Sequence, residues 1–157
     1  MEEEELEFNI ASTQKRMVSF MIDDFVVAVF LFIIFYTPIM AIASHIPTVL
    51  TPEALEAFKA EMNHFSSQNL IFILLLKILY HTFFVWQNGM TLGKYIMKIR
   101  VLELNTASTP SLQKALLRAV LRIASEVFFY LGFVLAFFTP LKQTFHDKLS
   151  SCVVVDA

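Results

Sequence analysis

The chain has 157 residues, 57% of them hydrophobic with 17 Phe, at a mean hydropathy of +0.63. That apolar content is far above what the core of a soluble domain needs, so an integral membrane protein with one compact helical domain is expected. The formal net charge of -2 says little in itself, and no nucleic-acid partner is expected; a single cysteine, Cys152, can make no internal disulfide and implies no thiolate metal site.

Residues 1–11 form an acidic tail, "MEEEELEF" at its start, where a signal peptide would be basic; no A-x-A site follows, so the first apolar run is expected to be retained. From Met17 to about Ala43 the chain is apolar apart from Ser19, Asp23 and Asp24, long enough to cross a core of about 30 Å, with a bend or end near Pro38. In hydrocarbon each ionised carboxylate costs about 2.5 to 3.5 kcal/mol, so Asp23 and Asp24 require partners. Thr51-Pro52-Glu53 has the form of a helix start, and Leu55, Phe58 and Met62 follow at helical spacing, predicting an amphipathic helix on the surface. Residues 69–87 make a second spanning helix, interrupted by Lys77 and His81 and closed by Trp86.

The segment "NGMTLGKYIMKIRVLELNTASTP" differs in kind: Gly89 and Gly93 are breakers, "KIRVLEL" alternates as a strand does, and turn residues run to Pro110. Residues 111–139 are helical again, opened by Ser111, and the tail ends in a second strand-like run from Cys152 to Val155. As one helix, 111–139 would be about 42 Å long, more than a bilayer core needs. Two arrangements follow. An interfacial stretch carrying Arg118 and Arg122 can precede a single span that leaves the tail outside, or a break at Leu131-Gly132 can make a helical hairpin that brings the tail back to pair with "KIRVLEL". Lys15 and Arg16 before the first span, and Lys94, Lys98, Arg100 and Lys114 after the second, place the amino terminus and residues 88–114 in the cytoplasm.

These residues resemble the RDD family of small membrane proteins. Its arginine and the aspartate seven residues on match Arg16 and Asp23 in "RMVSFMID"; its T-x-G-K element matches "MTLGKYIMKIRVLEL"; the arginine of its third helix matches Arg118; its closing His-Asp-basic-Leu matches "HDKLSSCVVV". The resemblance covers about residues 12–156, a single transmembrane domain, and implies Arg16, Asp23 and Asp147 as signature residues, with Asp24 the alternative second aspartate. Where "AGT" commonly precedes the final strand, this chain has "SSC". The resemblance also implies transport of an unassigned ligand.

The fold expected is an all-α membrane bundle: two long spanning helices, a third long helix or a short helical hairpin, and a small cytoplasmic two-strand element. Arg16 and Asp23 share a helix face but stand about 10 Å apart, too far to pair directly. Counting rise per residue along each helix, Asp23 or Asp24, Lys77, His81, Arg122 and Glu126 reach one height and are expected to form an intramembrane polar layer. Lys94, Lys98 and Arg100 are read as a cytoplasmic basic surface facing anionic lipid headgroups. "TLGK" lacks the G-x-x-x-x-G-K-[ST] spacing of a phosphate loop, no nucleophile and base stand at catalytic spacing, and no metal motif occurs; neither an enzyme nor a cofactor is expected. Two functions fit. One is a component for ion or small-solute transport through the polar layer, in the cell (inner) membrane, as a homo-oligomer or with a membrane partner protein. The other is a non-transporting scaffold or assembly factor in which the same charges are structural.

Overall fold

In the computed structural model, residues 8–46, 49, 51–127 and 135–157 are described. The chain is mostly helical, with one two-stranded antiparallel sheet among the described residues.

Helix α1 spans Thr13–Ile34 and begins at Ser12, whose Oγ accepts from the Lys15 N–H. It ends at Phe35, and α2 continues over Tyr36–Ser44. The interruption falls ahead of Pro38 because a proline offers no N–H to the carbonyl four residues back, that of Ile34, and its ring collides with it. Helix α3, Pro52–Gln68, is capped by Thr51 Oγ1, which accepts from the Ala54 N–H, and it contains no buried residue. Helix α4, Leu70–Asn88, closes on Gly89 in the left-handed conformation (φ 70°), where a Cβ would stand 2.7 Å from the Val101 carbonyl oxygen. A short helix α5 (Leu92–Ile96), strand β1 (Ile99–Glu103), helix α6 (Leu112–Val127), helix α7 (Phe145–Leu149) and strand β2 (Cys152–Asp156) follow.

Strands β1 and β2 pair antiparallel, with Ile99 opposite Asp156 and Glu103 opposite Cys152. On the other edge of β2, Ile10 bridges Val155 and the Ala11 N–H donates to the Val154 carbonyl. The amino-terminal segment, Ile99–Glu103 and the carboxyl-terminal strand therefore lie at one end of the molecule. A third crossing that carries the tail to the opposite side is incompatible with this pairing; the break expected at Leu131-Gly132 lies outside the described residues. The small apolar core sits under this ribbon and includes Ala11, Val85, Ile99, Val101, Ala115 and Val154.

Elsewhere the usual order of inside and outside is reversed. Helices α1 and α4 are long and apolar enough to cross a membrane, yet Phe25 (70% exposed) and Ile71 (75%) face outward. Asp23 and Asp147, by contrast, are fully buried. Helix α6 shows the inversion most sharply: Arg118, Arg122 and Ser125 point inward, while Leu116, Leu117 and Val120 are exposed.

Candidate functional site: a buried network of charges

Apart from Glu103, which Lys114 meets at 2.6 Å near the ribbon, the charged side chains of the interior fall into three groups among the described residues. The first centres on Asp147. Thr144 caps α7 by accepting from the Asp147 N–H, and the Asp147 carboxylate reciprocates through Oδ2, accepting from the Thr144 N–H at 3.3 Å and also from the Thr144 hydroxyl at 2.7 Å. The same carboxylate takes Arg16 Nη2 at 2.7 Å and Arg118 Nη2 at 2.6 Å, so α1, α6 and α7 are tied at one point. Arg16 also donates to the Lys142 carbonyl. Burial pushes the Asp147 carboxyl toward its neutral form, but the charges of Arg118 and Arg16 outweigh it and hold the group well below the usual carboxylate range. His146 beside it is fully enclosed; burial, with Arg118 and Arg122 nearby, pushes its pKa well below the ordinary histidine value.

The second group encloses Asp23. Tyr80 Oη donates to Oδ1 at 2.9 Å, Thr91 Oγ1 to Oδ2 at 2.6 Å, and the Gly93 N–H to Oδ1 at 2.8 Å. Lys94 Nζ completes the shell at 3.6 Å. The "TLGK" element is thus an anion cradle whose anion belongs to the chain itself. Glycine is required at its centre because a Cβ on Gly93 would stand 2.1 Å from the Ser19 carbonyl oxygen and 2.9 Å from Asp23 Oδ1. Burial lowers the Lys94 pKa to about 8, with Asp23 opposing that shift, so the ammonium remains charged at neutral pH.

The third group lies deeper along α4 and α6. Lys77 Nζ meets Glu126 Oε2 at 2.5 Å and Asp24 Oδ1 at 3.6 Å. Arg122 reaches Glu126 at 3.2 Å and Asp24 at 3.4 Å, donates to His81 Nδ1 at 3.3 Å, and stacks over the Phe20 ring at 4.5 Å.

Two expectations require correction. Asp23 does not join Lys77, His81, Arg122 and Glu126; Asp24 does. Consecutive helix residues point about 100° apart, so the two carboxylates turn to different neighbours. Nor does Lys94 belong with a basic surface: it is 5% exposed and faces Asp23, while Lys98 and Arg100 are exposed. The reason is the single turn of α5, which folds Lys94 back toward α1. Tyr80 and Thr144 carry no sequence signal beyond being polar and are recognised only once the helices are placed. Only the family resemblance marks Arg118 as a signature residue; by helical rise it is a cation near the start of α6.

A helical chain with apolar flanks, two helices of spanning length and a charged, ion-paired interior defines a class of small proteins of membrane-spanning dimensions. Within it, the model of the RDD family matches residues 10–151, and the chain belongs to the RDD family. No curated protein and no solved structure matches it.

Proposed function

We propose that the chain is an integral membrane protein whose buried charges are structural, a scaffold or assembly factor rather than a conduit. Membrane embedding is supported by the inverted faces of α6: leucines and valines outside and arginines inside suit hydrocarbon as the surrounding solvent, whereas a water-soluble monomer rarely exposes so much contiguous apolar surface. The positions of Lys15, Arg16, Lys98, Arg100 and Lys114 around the ribbon end favour a cytoplasmic amino terminus in the cell membrane, with Lys98 and Arg100 toward anionic headgroups.

The observation that carries the structural role is the state of Asp23. It is 0% exposed, and both its oxygens are occupied by fixed donors. A group that binds and releases an ion needs a path to it. The test is reconstitution in liposomes carrying a pH-sensitive dye, with a monovalent cation gradient imposed. The expected result is no flux above empty liposomes from wild type, with Asp23→Asn less stable and equally without flux. A wild-type flux abolished by Asp23→Asn in a folded protein would contradict it.

One observation favours transport as a second reading. The side chain of Asp24 is 31% exposed and shares Lys77 and Arg122 with Glu126, which makes a carboxylate pair that an arriving cation can reach. On that reading the flux exists and Asp24→Asn removes it while Asp23→Asn does not.

A further inference from the structure

A cavity of about 260 Å³ lies among α1, α5, α6 and α7, beside the Asp147 group. Met17, Phe20 and Phe137 contribute much of its wall, and its polar groups are almost all donors. Ser19 Oγ lines it, 1% exposed and without a hydrogen-bond partner among the described residues. Lys94 Nζ lines it too, with two long contacts, Thr91 Oγ1 at 3.4 Å and Asp23 Oδ2 at 3.6 Å. Arg118 commits Nε and Nη2 to Asp147, which leaves the Nη1 donors over. The carboxylate on the wall, Asp147, offers little to a cation, since Arg16, Arg118 and Thr144 already occupy its oxygens.

The charge balance has the same sign. The three groups together hold five cationic side chains (Arg16, Lys77, Lys94, Arg118, Arg122) and four carboxylates (Asp23, Asp24, Glu126, Asp147), an excess of one positive charge. An uncompensated buried charge is expensive in an apolar surrounding, and a bound anion offsets it. A mostly apolar pocket with a few convergent donors is also the usual form of a ligand site.

We propose that this cavity binds a phosphate-type anion, held by Lys94 Nζ, Arg118 Nη1 and Ser19 Oγ, either as free phosphate or as the headgroup of an anionic phospholipid. The apolar wall accommodates the first carbons of an acyl or glycerol moiety. The site shares Lys94 with the Asp23 shell, but Ser19 and the Nη1 donors of Arg118 belong to neither the Asp23 cradle nor the Asp24 pair.

The test uses the full chain, delipidated in a neutral detergent, with thermal unfolding followed at constant ionic strength. The probes are inorganic phosphate, short-chain phosphatidylglycerol and short-chain phosphatidylcholine. Binding raises the melting temperature by about 3 °C or more at saturation. A rise with phosphatidylglycerol but not with inorganic phosphate identifies the headgroup as the source, and a rise with both identifies a free anion as sufficient. Lys94→Gln is expected to abolish the shift. Should that variant not fold, Ser19→Ala decides: its hydroxyl has no partner to lose among the described residues, and the variant is expected to raise the half-saturating concentration about fivefold. No shift with either phosphate probe, an equal shift with phosphatidylcholine, or an unchanged response in Ser19→Ala would overturn the proposal.

Discussion

Asp23 and Asp24 are adjacent in sequence and belong to different structures: Asp23 is sealed against α5 by Tyr80, Thr91, Gly93 and Lys94, while Asp24 shares Lys77 and Arg122 with Glu126. One carboxylate joins α1 to α5 and, through Tyr80, to α4. The other joins it to α4 and α6. Together they tie α1, α4, α5 and α6 to one another.

The two aspartates are therefore unequal in their effect on stability. Asp23→Asn strands the buried Lys94 ammonium and is expected to cost about 3 to 5 kcal/mol. Asp24→Asn is expected to cost about 1 kcal/mol, since its side chain is 31% exposed and Glu126 still receives Lys77 and Arg122. Denaturant unfolding of the two variants in the same detergent checks the ranking, and equal losses would refute it.

Gly93→Ala is expected to prevent α5 from docking, because the new methyl would stand 2.1 Å from a backbone oxygen that cannot move aside without shifting α1. The predicted loss is about 3 kcal/mol or more. Near-wild-type yield and melting temperature of Gly93→Ala would show that α5 does not approach α1 this closely.

His146 gives the fold a pH dependence. Its pKa is depressed in the folded protein, so between the ordinary value near 6.5 and the depressed one the unfolded chain binds the extra proton. Stability is then present in full above about pH 6.5 and falls as the pH drops below it, by up to about 1.4 kcal/mol per pH unit. Asp147 adds nothing to this window, because its folded pKa is lowered and its contribution is lost only at more acidic pH. The expected outcome is a melting temperature that declines from pH 7 to pH 5 in wild type and declines less in His146→Gln. Parallel profiles would exclude His146 as the source.

Hydropathy alone makes the two long helices legible, alternation makes β1 legible, and the valine run from Cys152 to Val155 makes β2 legible, since each is a local feature of the sequence. The Thr51 cap and the proline interruption are likewise local chemistry. Helical rise brings Lys77, Arg122 and Glu126 to one height, and the structure joins them. What rise cannot fix is the azimuth of Asp23 against Asp24, because nothing in a nearly uniform apolar helix marks which side meets which neighbour. Lys94 was illegible for a related reason: a lysine before a strand reads as solvent-exposed unless the close docking of Gly93 is known. Tyr80 and Thr91 become part of the Asp23 shell only through contacts 57 and 68 residues apart in sequence.

The claim on which the account depends is that acidic and basic groups inside an apolar-faced bundle hold it together as matched partners. A double-mutant cycle on Asp23→Asn and Lys94→Met, read as unfolding free energy in detergent, tests it most directly. The account predicts that the double variant recovers about 2 kcal/mol relative to the sum of the single losses, because removing both charges leaves none stranded. Simple addition of the two losses would contradict it.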